Sequence, residues 1–274
     1  MKITAIQMNS INDWQANMAA AMDLAEAAIK ADQPELIAFP EVMAFQSGRV
    51  ADKLAAAEET HGRTSKKLAG LAKKHGIFVH GGSFFEKAEA EKIYNTSLVF
   101  CPDGQQIARY RKIHLFDATT PQGEQYRESD LVQPGKELVC FPAGEITVGC
   151  SICYDLRFPE LYLGLSEMGA DLILVPAAFT RETGAAHWEV LLRARAIETQ
   201  CYILAPAQCG SWPDGAGGER GCWGESLIID PWGEVLARAG GQPGWISSKI
   251  DKDILAGVRA KFPVTSARRL KKKI

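Results

Sequence analysis

One cysteine in this chain is placed where a nucleophile belongs. The segment Val148-Gly149-Cys150-Ser151-Ile152-Cys153-Tyr154-Asp155-Leu156-Arg157-Phe158-Pro159-Glu160 reads as a β-type run ending at Cys153, with a helix starting a few residues later. A side chain at such a strand-to-helix elbow is exposed at a sheet edge and lies near the positive end of a helix. That end is expected to stabilise a thiolate. The backbone N–H of Tyr154, directly after the cysteine, is expected to point at a developing oxyanion. The plainer alternative is a small buried core cysteine. Cys101, Cys140, Cys150, Cys201 and Cys209 fit that alternative, since they lie in apolar strand-like runs. Cys222 follows a glycine-rich stretch and is expected to be exposed. Seven cysteines at irregular spacing do not make a disulfide framework.

A cysteine nucleophile needs a base and a group to hold the oxyanion. The five histidines match poorly. His61 and His75 lie in polar helical contexts, His80 sits in a strand, and His114 and His187 have structural-looking neighbours. No histidine has zinc-ligand spacing with a cysteine, so neither a metal nor another cofactor is expected. Charged residues at the ends of apolar strands remain. Glu41 follows Ile37-Ala38-Phe39-Pro40, and Lys112 follows Ala108-Arg109-Tyr110-Arg111. Strand ends often carry function, although each residue alone reads as an ordinary exposed charge.

The elements that must position these residues alternate. Strands are predicted over residues 2–8, 36–39, 77–85, 93–101, 106–112, 146–152, 171–175, 201–207, 225–230, 234–239 and 244–250. Helices are predicted over residues 15–30, 65–75, 158–168, 186–199 and 252–261. Asp13 can cap the first helix, Gly76 ends the second, and Pro102-Asp103-Gly104 marks a hairpin turn. This pattern mixes βα units with hairpins, so an α/β fold with mixed sheets is expected. No linker or composition break divides the chain, and residues 1–274 read as a single domain with a short basic C-terminal tail. The glycine-rich stretch from Ser211 to Gly218 reads as a loop.

In this order, Phe39-Pro40-Glu41, Tyr110-Arg111-Lys112-Ile113-His114-Leu115-Phe116-Asp117 and Cys153-Tyr154-Asp155-Leu156-Arg157-Phe158-Pro159-Glu160 resemble the nitrilase superfamily of carbon–nitrogen hydrolases. The likeness runs from Ala5-Ile6-Gln7-Met8 to Asp230-Pro231-Trp232-Gly233. It implies a Glu-Lys-Cys triad on Glu41, Lys112 and Cys153, with the family's second glutamate on Glu128. It also implies a four-layer α-β-β-α sandwich, usually paired into a homodimer. In that reading Glu41 is the general base, and Lys112 holds the oxyanion together with the Tyr154 N–H. Glu128 orients Lys112 or the substrate nitrogen.

The stretches from Ala177 to Gln200, Cys201-Tyr202 and Ala207-Gln208-Cys209-Gly210 resemble the Nit branch, and within it deaminated glutathione amidases. ω-Amidases acting on α-ketoglutaramate or α-ketosuccinamate are the near alternative. An N-carbamoyl amide hydrolase, a nitrilase and a catalytically silent binding protein of the same fold are the further ones. The first two substrate types carry a carboxylate beside a keto group, for which an arginine fork is a natural partner. Arg157 is the candidate, with Phe179 and Thr183 past the next strand end as further lining. Trp223-Gly224-Glu225-Ser226 departs from the family pattern, and Glu225 would disfavour acidic substrates if it entered the pocket. The 211–221 stretch could set access for a bulky leaving group.

A formal net charge of −2 and a pI near 6.2 give no sign of a nucleic-acid partner. The basic residues from Arg268 to Lys273 read as a solvated tail. The start of the chain lacks a signal-peptide core, and no apolar run is long enough to span a bilayer. A cytoplasmic enzyme acting on a small-molecule amide is therefore expected.

Overall fold

The structure, a computed structural model, describes residues 1–120, 123–214 and 217–269. Two mixed β-sheets face each other. The first has strands Gly244–Lys249, Lys2–Gln7, Leu36–Ala38, Phe78–His80, Ile93–Phe100 and Phe84–Lys87 in that order, with Gln106–Arg111 pairing the other edge of Ile93–Phe100. The second runs Val235–Arg238, Leu227–Ile229, Tyr202–Ala205, Leu172–Leu174, Ile146–Cys150 and Cys140–Ala143. Within each sheet the three strands of βα units are parallel, and those added through hairpins are antiparallel.

Alternation along the strands builds the layers. In Lys2–Gln7, Ile3 and Ala5 enter the core between the sheets, while Ile6 faces the opposite way. Leu36 and Ala38 divide from Ile37 and Phe39 in the same manner. The outer face of the first sheet is covered by helices Trp14–Asp32, through Met18, Ala21, Ala25 and Ala28, and Arg63–His75, through Leu68, Leu71 and Ala72. Helices Pro159–Glu167 and Arg181–Thr199 cover the second, with Leu161, Leu165, Trp188, Leu192 and Ala196 inward. Leu165 approaches Gly149 so closely that a Cβ there would lie 3.1 Å from the leucine Cδ1. The result is the α-β-β-α sandwich that the motifs implied.

The local signals act as expected at several ends. Asp13 caps its helix by accepting from the N–H groups of Gln15 and Ala16, and Gly76 closes the Arg63–His75 helix at φ 65°. Two expectations are corrected. The strand entering the elbow ends at Cys150, and Cys153 opens a 3₁₀ turn, Cys153–Arg157, before the next helix. The stretch after Ser211 is a hairpin: Ser211–Pro213 pairs with Glu219–Gly221. Residues 215–216 of that stretch and 270–274 of the basic tail lie outside the described residues. Arg268, at the start of the tail, is tied to Glu167 at 2.8 Å. Among the described residues, no helix is long and apolar enough to cross a membrane.

Candidate active site

Chain ends converge on one side of the sandwich. Glu41 lies just past Leu36–Ala38, Lys112 just past Gln106–Arg111, and Cys153 just past Ile146–Cys150. All three line one cavity of about 300 Å³. Glu128 joins them from a 3₁₀ turn, Glu128–Asp130. The structure thus brings together the four residues placed by the motifs.

Lys112 is the hub. Its Nζ donates to Glu41 Oε1 at 2.9 Å and to Glu128 Oε1 and Oε2 at 3.1 and 2.9 Å. Only 2% of Lys112 is exposed. Burial works against its ammonium, but the carboxylates of Glu128 and Glu41 outweigh it and hold Lys112 well above the ordinary lysine range. Glu41 Oε2 accepts from the Ala178 N–H at 2.9 Å, and Glu128 Oε2 from the Phe116 N–H at 2.6 Å. Each carboxylate is therefore held by the backbone as well as by the lysine.

Cys153 lies beside Glu41 in the cavity and stands at φ 48°, in the left-handed region that a non-glycine residue rarely adopts. A nucleophile on such a strained elbow is lifted out of the sheet toward the cavity. The expected thiolate, however, is not its resting form. Burial first, and then the Glu41 carboxylate, push the thiol well above its usual value against the pull of Lys112. The helix end loses to desolvation, because the thiol is enclosed and a short 3₁₀ turn separates it from the helix start. Glu41 is thus positioned to remove a proton that is still present.

Two supporting residues were not identified from sequence. Asn95, in the Ile93–Phe100 strand, donates from Nδ2 to Glu41 Oε1 at 2.9 Å and to Glu128 Oε1 at 3.4 Å. Its Oδ1 is buried without a partner among the described residues. Asp155 ties the lysine segment to the elbow. It accepts from Tyr110 Oη at 2.6 Å, from the His114 N–H and Nδ1–H at 2.9 and 2.8 Å, and from the Ile152 N–H at 2.9 Å. The His114 ring lies flat on Phe158 at 3.7 Å.

Arg157, Phe179 and Thr183 stand elsewhere. None lines the cavity. Arg157 donates to His187 Nδ1 at 3.2 Å and lies 5.6 and 5.4 Å from the Tyr154 and Phe179 rings. Phe179 is packed against Trp188 at 4.9 Å, and Thr183, in the first turn of its helix, donates its N–H to the capping Thr180 Oγ1 at 3.3 Å. Glu225 is also outside the lining; it pairs with Arg238 at 2.6 Å. Cys222, expected at the surface, is buried against the cavity and faces Gln46 Nε2 at 3.8 Å. The cavity's cations are instead Lys53, Lys112, Arg127 and Arg220.

Comparison with known proteins agrees with this geometry. The carbon–nitrogen hydrolase family model matches residues 2–260. The chain is 43% identical over 263 residues to a deaminated glutathione amidase of Synechocystis sp., covering 94% of each chain. It is 40% identical over 216 residues to an ω-amidase of Xenopus tropicalis, covering 78% of this chain and 75% of that one. In three dimensions it matches the NitFhit protein of C. elegans with a TM-score of 0.87 and 36% identity, over 98% of this chain but 65% of that longer one. Motif order, sandwich and relatives converge: the chain belongs to the Nit branch of the nitrilase superfamily of carbon–nitrogen hydrolases.

Proposed function

We propose that this chain is an amidase working through a thioester on Cys153, and that its substrate is deaminated glutathione. The observation that carries the chemistry is the Lys112 ammonium, fixed between Glu41 and Glu128 beside a protonated thiol. Glu41 takes the Sγ proton as Sγ attacks the amide carbon, and the carbonyl electron pair moves onto oxygen. The Lys112 ammonium and the Tyr154 N–H stabilise that oxyanion. Glu41 returns the proton to the nitrogen as the C–N bond breaks, leaving an acyl group on sulfur. It next takes a proton from water, whose oxygen attacks the thioester; the thiolate leaves and recovers the proton. Glu128 keeps Lys112 in place throughout, and Asn95 Oδ1 is free to accept from the substrate amide nitrogen.

The substrate assignment is supported by the likeness to the Synechocystis amidase over nearly the whole of both chains. The ω-amidase reading has its own support in the Xenopus relative. Deaminated glutathione and α-ketoglutaramate would leave the same acyl group on Cys153, so the two readings differ in the leaving group. Mass spectrometry of the protein with deaminated glutathione, α-ketoglutaramate, an N-carbamoyl amino acid and a simple nitrile decides among them. An acyl adduct on Cys153 from the first, with the highest kcat/KM, is expected. Absence of any adduct or turnover would leave a silent binding protein. The same reading treats residues 1–274 as one catalytic domain, with a cytoplasmic homodimer as the working form. Sedimentation velocity and cell fractionation test the last two points.

A further inference from the structure

The groups of the proposed chemistry come from two different sheets. Lys112 is pinned to the first: its N–H donates to the Asn95 carbonyl at 2.9 Å, and its own carbonyl accepts from the Gly135 N–H at 2.8 Å. Cys153 is pinned to the second, where its N–H donates to the Pro176 carbonyl at 2.9 Å. Apolar packing between the sheets is non-directional, whereas attack by sulfur on a carbonyl held at an ammonium needs a defined separation. Asp155 supplies a directional link. It is fully buried, and its two oxygens are shared between the two sides. Oδ1 accepts from the His114 N–H at 2.9 Å and from His114 Nδ1 at 2.8 Å. Oδ2 accepts from Tyr110 Oη at 2.6 Å and from the Ile152 N–H at 2.9 Å. Tyr110 and His114 stand two residues before and two after Lys112, and Ile152 directly precedes Cys153. Among the described residues, no lysine or arginine pairs with Asp155. A carboxylate is costly to bury, and an apolar side chain would serve packing alone.

We propose that Asp155 is a positioning residue, a brace whose carboxylate sets the spacing between the Lys112 ammonium and the Cys153 sulfur across the two sheets. This rests on the amidase reading and adds the residue that holds its two halves together. The residue type follows from the donors. The N–H groups of His114 and Ile152 can only donate, and each meets a different oxygen. An asparagine would turn its NH₂ toward one of them whichever way it faced. The Tyr110 hydroxyl and the His114 ring could reverse their roles, but the two backbone groups could not. The brace therefore needs both oxygens of a carboxylate. It also steadies the elbow itself, since the Asp155 N–H donates back to the Ile152 carbonyl at 3.0 Å while Cys153 is held at φ 48°.

The test follows alkylation of Cys153 by iodoacetamide at neutral pH, read by mass spectrometry of its peptide, in wild type and in Asp155→Asn. Below the thiol pKa the rate follows the thiolate fraction. The groups facing the thiol are Glu41 and Lys112 from the first sheet and Tyr162 from the helix behind it. Lys112 favours the thiolate and Glu41 opposes it. If the brace sets the spacing, Asp155→Asn lets Lys112 draw away, and alkylation slows about tenfold, as for a shift of one pKa unit. Removing a negative charge without movement would act in the opposite sense and speed alkylation. With α-ketoglutaramate, kcat should fall about 10²-fold while KM stays within about threefold. Tyr110→Phe keeps the carboxylate and both backbone donors, so it is the milder variant and decides the matter where Asp155→Asn does not fold. Its kcat and alkylation rate should fall together, by about threefold. Wild-type rates in either folded variant, whatever its Tm, overturn the proposal, and so does faster alkylation. If wild-type protein hydrolyses neither α-ketoglutaramate nor deaminated glutathione and Cys153 takes up no acyl group, the amidase reading fails, and the alkylation measurement still decides the brace.

Discussion

The floor and the rim of this cavity solve opposite problems. On the floor, the charges of Glu41, Lys112 and Glu128 answer one another, and backbone N–H groups hold both carboxylates. Glu41 and Lys112 follow strands of the sandwich, and Glu128 opens a 3₁₀ turn. At the rim, Lys53 and Arg220 have no carboxylate partner among the described residues, and their supports are a seven-residue helix and three-residue strands. Preorganised charge lowers a barrier because it needs no rearrangement at the moment of reaction. Unanswered charge binds, because the ligand supplies the missing partner. The contrast separates charges that are already matched from charges that a ligand could answer.

The largest effect expected is at the nucleophile. Cys153→Ala should lower kcat by about 10⁴-fold or more while circular dichroism and Tm stay near wild type. Substantial residual turnover would remove the floor from the mechanism. Asn95→Ala comes next, since one amide donates to both carboxylates. A kcat loss of about 10²-fold is expected, with KM changing much less. A loss mainly in KM would move Asn95 from the floor to substrate binding and blur the comparison.

Gly82 tests how firmly the floor is mounted. It stands at φ 58°, and a Cβ there would lie 1.9 Å from the Pro40 carbonyl oxygen, one residue before Glu41. Gly82→Ala should therefore destabilise the fold by about 1–3 kcal/mol, read as a lower Tm, and reduce kcat as Glu41 shifts. Arg157→Ala tests the boundary of the rim from outside. Its guanidinium is engaged with His187 and the Tyr154 and Phe179 rings, away from the cavity lining. kcat/KM for succinamate should stay within about threefold of wild type, on the scale of a lost surface contact. A tenfold loss would return Arg157 to substrate binding.

The same contrast explains what could be read from the residues alone. Glu41, Lys112 and Cys153 each follow a β-rich run, and periodicity showed mixed α and β elements; the sandwich and the grouping of these residues came through the family likeness of their ordered motifs. The rim was not. Strands as short as Ser211–Pro213 and Glu219–Gly221 leave no alternation to detect, and Val50–Ala56 has no side-chain cap to announce it. Asn95 lies within a strand-like run, where only its polarity in an otherwise buried segment marks it. Arg157 offers the fork that suits a carboxylate and is four residues past Cys153, but its guanidinium lies at His187 and the Tyr154 and Phe179 rings, outside the cavity lining. The state of the Cys153 thiol depended on long-range burial against a local helix end, which no local pattern weighs.

A smaller effect concerns the layer behind the floor. His80 ends the strand beside Leu36–Ala38, and its backbone carbonyl accepts from the Phe39 N–H at 3.1 Å. Its Nδ1 accepts from the Gly82 N–H at 3.2 Å, and its Nε2 is buried without a partner among the described residues. Burial lowers its pKa from 6.5 to about 3. The unfolded chain therefore gains a proton as pH falls below 6.5, while the folded chain does not do so until near 3. This contribution to stability is present above 6.5 and is lost as pH falls toward 3, at about 1.4 kcal/mol per pH unit. His80→Asn keeps an acceptor for Gly82 and removes the titration. Urea melts between pH 6 and 4.5 should show a shallower fall in stability for that variant, by about one proton, even if its stability at neutral pH is lower. Equal slopes would mean that His80 titrates alike in both states, and that the layer behind Glu41 is open to protons.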